Sequence, residues 1–214
     1  MEDVRTADLG PGIIGQLSQA LMAAGTVIDA LPGPSFRMAT PCPGWTVLDV
    51  VNHLGAVTDK FGRFAAGGDQ PIHQLQGDLV GADPAQGFRQ VVDVAITAWA
   101  DHPEALDAVC VLPFGRFDGA TAAGINVFDA VVHQWDIAVG AGVRVDLSDE
   151  LALVALRVAD LLVTAEAQGS GHYAAPGVPP ADAGPLGRLL AATGRQLDTE
   201  APRNPEGWNH PNTD

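Results

Sequence analysis

Positive charge is scarce in this chain of 214 residues: eleven Lys and Arg stand against 26 Asp and Glu, a formal net charge of −15. So acidic a chain is repelled by phosphate backbones and anionic lipid surfaces, which removes nucleic acid and membranes from the expected partners. Cysteine is nearly absent. Cys42 and Cys110 allow at most one bridge and lie in no Cys-x-x-Cys arrangement, so two reduced thiols are expected, neither placed by the sequence as a nucleophile. Long apolar runs are missing too, since the longest candidate, residues 151 to 167, is interrupted by Arg157, Asp160 and Glu166. The opening MEDVRTADLG lacks the apolar stretch of a signal peptide, and a cytoplasmic protein is expected. No internal repeat is visible.

What remains is enough for a core: 47% of residues are hydrophobic and 17% charged, which predicts one compact domain over 1–197 followed by a flexible tail over 198–214. Apolar residues recur at helical spacing in five stretches. Ile14, Leu17, Leu21, Ala24, Ile28 and Leu31 mark the first, which stops at Leu31-Pro32-Gly33-Pro34. The second starts at Thr46, where a side-chain cap, Asp49 three residues on and a Trp45 staple onto Val50 would fix its first turn. Its stripe is Val50, Leu54, Val57, Phe61 and Phe64, and residues 67 to 83 read as loop. Asp83-Pro84 opens the third, with Phe88, Val91, Ala95, Ala98 and Trp99 inward. Pro113 and Gly115 reduce the β-rich stretch 108 to 118 to one short irregular or edge strand. A fourth helix is predicted from about Ala120 to Val139. The fifth, capped by Ser148, is expected to bury Leu151, Val154, Val158, Leu161 and Ala165. A short helix follows near Pro185 to Ala192. The sum is an all-α fold, a four-helix bundle with extra short helices.

The fourth helix is apolar almost all round, as for a helix wedged inside a bundle. Its few polar residues, Asn126, Asp129, His133 and Asp136, fall within one stripe roughly 80° wide. Asp129 and His133 are one turn apart and can present a carboxylate and an imidazole to one divalent cation. A third ligand must come from another helix. His73, His102, His172 and His210 lie in predicted loops, helix ends or the tail, whereas His53 sits mid-helix on the second helix. A set of His53, Asp129 and His133 leaves open coordination positions, the mark of a catalytic rather than a structural site. Asp136 fits an orienting partner of a histidine ring, and Asn126 a second polar neighbour behind the ligands. The same stripe also fits the solvent face of an ordinary amphipathic helix, with Asp129 and His133 as a local ion pair.

TPCPGWTVLDVVNHLG, DAVVHQWDIAVGAG and the late PGVPPADAGPLGRLLAATGR together give the chain its kinship. In these segments it resembles the mycothiol-dependent maleylpyruvate isomerase-like proteins of actinobacteria, within the DinB superfamily. The resemblance implies a DinB-like four-helix bundle holding a divalent metal, zinc first with Ni2+ or Fe2+ as alternatives. One histidine on helix two and an acid-x-x-x-His pair on a later helix map onto His53, Asp129 and His133. It also implies mycothiol as co-substrate and a small electrophilic substrate for a transferase or isomerase. The sequence departs from the characterised isomerases twice: Asp129 stands where they carry glutamate, and a short tail replaces their separate C-terminal domain. The alternative is a non-catalytic metal- or ligand-binding bundle with a stress-related or regulatory role. A homodimer is compatible with the apolar faces of helix four.

If PCPGW fixes the height and rotation of helix two for the sake of His53, Trp45→Ala is expected to weaken metal binding as well as stability. Metal titration beside a denaturation curve tests this, and an unchanged affinity reduces PCPGW to a helix start.

Overall fold

The computed structural model describes residues 3–9, 12–144, 146–169 and 174–195. The expected tail over 198–214, with His172 and His210, lies outside the described residues. Seven helices and three short strands are formed among them: β1 (Val4–Arg5), α1 (Ile13–Asp29), α2 (Val47–Ala65), α3 (Pro84–Asp101), β2 (Val109–Leu112), β3 (Gly115–Asp118), α4 (Gly119–Ala141), α5 (Asp149–Leu162), α6 (Ala165–Gly169) and α7 (Pro185–Ala192). Single 3-10 turns occupy Gly33–Arg37 and Pro103–Asp107. None of the described helices is long and apolar enough to cross a membrane.

The all-α expectation holds. Helices α1 and α2 each pack against both α3 and α4, so the four close into a bundle, while α5 covers α4 from outside and carries α7 on its other side. Flanked by α1, α2 and α5, α4 has almost no solvent face. This explains its unbroken apolar run and decides against the solvent-face reading of its polar stripe: Asn126 and Asp136 are fully buried. The Asp118 side chain caps α4 by accepting from Thr121 N at 2.7 Å, and Gly142, at φ 67°, ends it, one to two residues beyond the expected limits at each end.

Three expectations need correction. Residues 109 to 118 form a β-hairpin, not one irregular strand. Pro113 and Phe114 occupy its two-residue turn, where proline removes no ladder donor, and β1 adds to β3 in parallel, Val4 opposite Arg116. On α3 the inward residue is Val92 rather than Val91, which gives Phe88, Val92, Ala95 and Trp99 at steps of four, three and four. On α5 the buried position is Leu162, with Leu161 half-buried; the helix stops there, so Ala165 begins α6 and is exposed.

The start of α2 carries the cap and capping box that its sequence foretold. Thr46 N donates to Asp49 Oδ2 at 2.8 Å and Asp49 N to Thr46 Oγ1 at 3.3 Å, a complete capping box. Ahead of it, Trp45 N donates to Cys42 O at 3.1 Å across Pro43 and Gly44, with Gly44 at φ 78°, the pattern of a type II turn. Thr40 N donates to Trp45 O at 3.0 Å and Val47 N to Met38 O at 2.9 Å, closing the segment on itself. This closed loop leans on α4 at Gly140, where an added Cβ would lie 2.8 Å from Ala39 O and 3.0 Å from Val47 Cγ2.

Gly140→Ala is therefore expected to lower stability by about 1–3 kcal/mol through overpacking, measured by urea unfolding. A variant as stable as the parent would show that the loop can retreat freely from α4.

Candidate metal centre

Helices α2 and α4 bring the three expected ligands together. His53 Nε2 and His133 Nε2 each lie 3.5 Å from Asp129 Oδ1, and the two imidazole centroids are 5.0 Å apart at 80°. The other oxygen, Asp129 Oδ2, is buried and has no hydrogen-bond partner among the described residues. Ligands about 2.0–2.2 Å from a tetrahedral ion lie roughly 3.3 Å from each other, so these spacings and the orphaned oxygen fit a divalent cation. The side chains of His53 and His133 keep 24% and 12% exposure, which leaves a path to the cluster.

Each histidine is gripped at its far nitrogen. His133 Nδ1 donates to Asp136 Oδ2 at 2.8 Å, which leaves Nε2, the nitrogen facing Asp129, as the one a metal ion would take in place of a proton. His53 Nδ1 meets the Gln74 carboxamide at 3.4 Å, from the loop between α2 and α3. A carboxamide offers an acceptor or a donor by turning end for end, so Gln74 can hold His53 with Nε2 free. Trp45 lays its indole against both rings, 4.9 Å from His53 and 6.4 Å from His133, the latter nearly parallel. The residue expected to staple the helix thus also walls the site.

Asp136 holds a larger set of contacts than an orienting role needs. Its carboxylate is buried without exposure and accepts from Arg195 Nη2 at 2.6 Å, Arg195 Nε at 2.9 Å, Cys42 Sγ at 3.2 Å and His133. Asn126, the other expected neighbour, accepts from Thr58 Oγ1 at 3.4 Å and ties α4 to α2 one turn from Asp129, its Nδ2 buried without a partner.

The electrostatics favour positive charge at this spot. Burial alone would push the His133 pKa down, but the Asp129 carboxylate and the hydrogen bond to Asp136 outweigh it and raise it to about 10. Burial likewise opposes ionisation of Asp136, yet bonds from His133 and Arg195 hold its carboxyl well below the usual range. Asp129 is also held low, against burial, by His133 and His53.

Sequence reasoning missed four neighbours. Cys42, which the sequence did not place as a nucleophile, sits 4.0 Å from His133 Nδ1. Arg195, just beyond α7, shows that the stretch after α5 is part of the site rather than a mere tail. Gln74 comes from a loop with no pattern, and Trp45 was assigned only to the helix start. The place of Cys42 and Trp45 in PCPGW, directly ahead of the helix that carries His53, was the one available signal.

A family model described as the mycothiol maleylpyruvate isomerase N-terminal domain matches residues 17–138. Two uncharacterized proteins of Mycobacterium tuberculosis, from the CDC 1551 and H37Rv strains, are each 30% identical over 179 residues, spanning 83% of this chain and 92% of theirs. Crystal structures of the mycothiol-dependent maleylpyruvate isomerase and of a histidine-to-alanine mutant of it share the fold, with TM-scores of 0.64 and 0.63 at 13% and 14% identity. Each alignment covers 87% of this chain and 89% of the other.

Breaking the buried ion pair strands one charge. Asp136→Asn and Arg195→Met are each expected to lose roughly 3 kcal/mol in urea unfolding, with the double variant losing less than the two together. Strict additivity would show that the two residues do not depend on each other.

Proposed function

This chain belongs to the mycothiol maleylpyruvate isomerase N-terminal domain family, and from that premise we propose a divalent-metal protein, zinc being the first choice, that uses a low-molecular-weight thiol such as mycothiol in a transfer or isomerisation of a small electrophile. The observation that supports it most is the convergence of His53 Nε2 and His133 Nε2 on Asp129, with Asp129 Oδ2 left unpartnered in the interior. His53, Asp129 and His133 would hold the ion and leave further positions to ligand. A divalent ion held there supplies the charge that lowers the pKa of a bound thiol, making thiolate available near neutral pH.

The chain's own side chains prepare that site. Asp136 fixes the proton of His133 on Nδ1, and Gln74, whose amide nitrogen lies 3.4 Å from His53 Nδ1, would do the same for His53 once its carboxamide is turned end for end. The Trp45 indole covers one side of the histidine pair. Cys42 donates to Asp136 on the Nδ1 side of His133, away from the face that Nε2 and Asp129 share, so the reacting thiol is taken from solution.

Elemental analysis is expected to find stoichiometric divalent metal in the purified protein and an affinity lower by tenfold or more in His133→Ala, in line with loss of a direct ligand. Negligible metal in both would sink the site. Conjugation of electrophiles is expected to need both metal and mycothiol; bound metal with no turnover across a broad panel would leave a binding protein.

A further inference from the structure

Lys60 stands in an unusual place for a lysine. It is 8% exposed, inside the bundle on α2, with its ammonium 4.6 Å from the Phe61 ring centroid. Among the described residues it has no hydrogen bond and no ion pair. A lysine enclosed in a bundle with no hydrogen-bonded counter-charge is unfavourable, and a chain with 26 acids had many ways to supply one.

Its position points to the metal centre. Lys60 follows His53 by seven residues, two helical turns, and so leaves α2 in nearly the same direction. Helical side chains lean toward the N-terminus, which carries its long stem back toward the turn of His53. Burial pushes its pKa down, and the acid that opposes this most is Asp129. Cys110 on β2 is no counter-charge, because burial pushes that thiol up to about 12. The facing α4 also leaves Asn126 Nδ2 as a buried donor without a partner.

Charge balance then decides the kind of ligand. A divalent ion held by two neutral imidazoles and one carboxylate keeps one positive charge, and Lys60 adds another nearby. A neutral ligand leaves both uncompensated in a low-dielectric interior, whereas a thiolate with an anionic group at its other end cancels both.

We propose that Lys60 is the anion-binding half of the ligand site: its ammonium receives a carboxylate, or another group of single negative charge, on the molecule whose other end reaches His53, Asp129 and His133. The assignment rests on the metal reading above, and the test separates the two. Co2+-loaded protein is titrated with 3-mercaptopropionate and, as the uncharged control, 3-mercapto-1-propanol, following the cobalt–thiolate absorption. The wild type is expected to prefer the charged thiol by about tenfold, a preference largely lost in Lys60→Met and retained in Lys60→Arg. Lys60→Gln gives the same reading if the methionine variant does not fold, which circular dichroism checks. Cobalt uptake with an undiminished preference in the variants overturns the Lys60 assignment alone. No cobalt uptake by the wild type overturns the metal reading and this assignment with it.

Discussion

A single carboxylate, that of Asp136, holds the site together. Fully buried, it takes hydrogen bonds from a ring nitrogen of His133, two guanidinium nitrogens of Arg195 and the thiol of Cys42. A buried charge is tolerable only when its lone pairs are filled, so each donor is held to a definite place. Those donors come from α4, from the loop before α2 and from the segment after α7. The seating of three separate parts of the chain is therefore one electrostatic condition, and the orientation of the His133 imidazole follows from it.

Around that point the bundle makes α4 the common element. Its contacts with α1, α2 and α5 leave almost no side to water, and most of its polar groups are answered from inside. Thr58 serves Asn126, and His53 approaches Asp129, both from α2. The closed loop of residues 38 to 47 brings Cys42 and Trp45 to the same end. The capping box at Thr46 sets where α2 begins, and His53 lies two turns further on.

The legible part of the site was the part written in helical periodicity. Asp129 and His133 are a turn apart on one helix, and His53 is the histidine that stands mid-helix on α2 beside an apolar stripe, so helical geometry nominated the set and the family resemblance favoured it over a surface ion pair. Cys42 reaches Asp136 across 94 positions and Arg195 across 59, and no local pattern encodes such contacts. Lys60 was invisible for another reason: a lysine in a helix reads as a solvated residue until packing encloses it. The sheet was missed because β1 is two residues long and Pro113 looked like an interruption rather than a turn. Two cations, Lys60 and Arg195, thus lie inside a strongly acidic molecule. At physiological salt the outer charges are screened beyond about 8 Å, so a small anion near the cluster feels mainly the inner charges, among which Arg195 is already paired with Asp136.

The Asp136–Arg195 bond also sets an order of events in time. The two residues are 59 positions apart, and at roughly 5–20 residues per second of synthesis Arg195 arrives about 3 to 12 s after Asp136. Until then the carboxylate is better hydrated than buried, and the C-terminal half of α4 has reason to stay loose while α1 to α3 are already able to pack. The centre that reads earliest in the sequence is thus among the last to be completed on the ribosome.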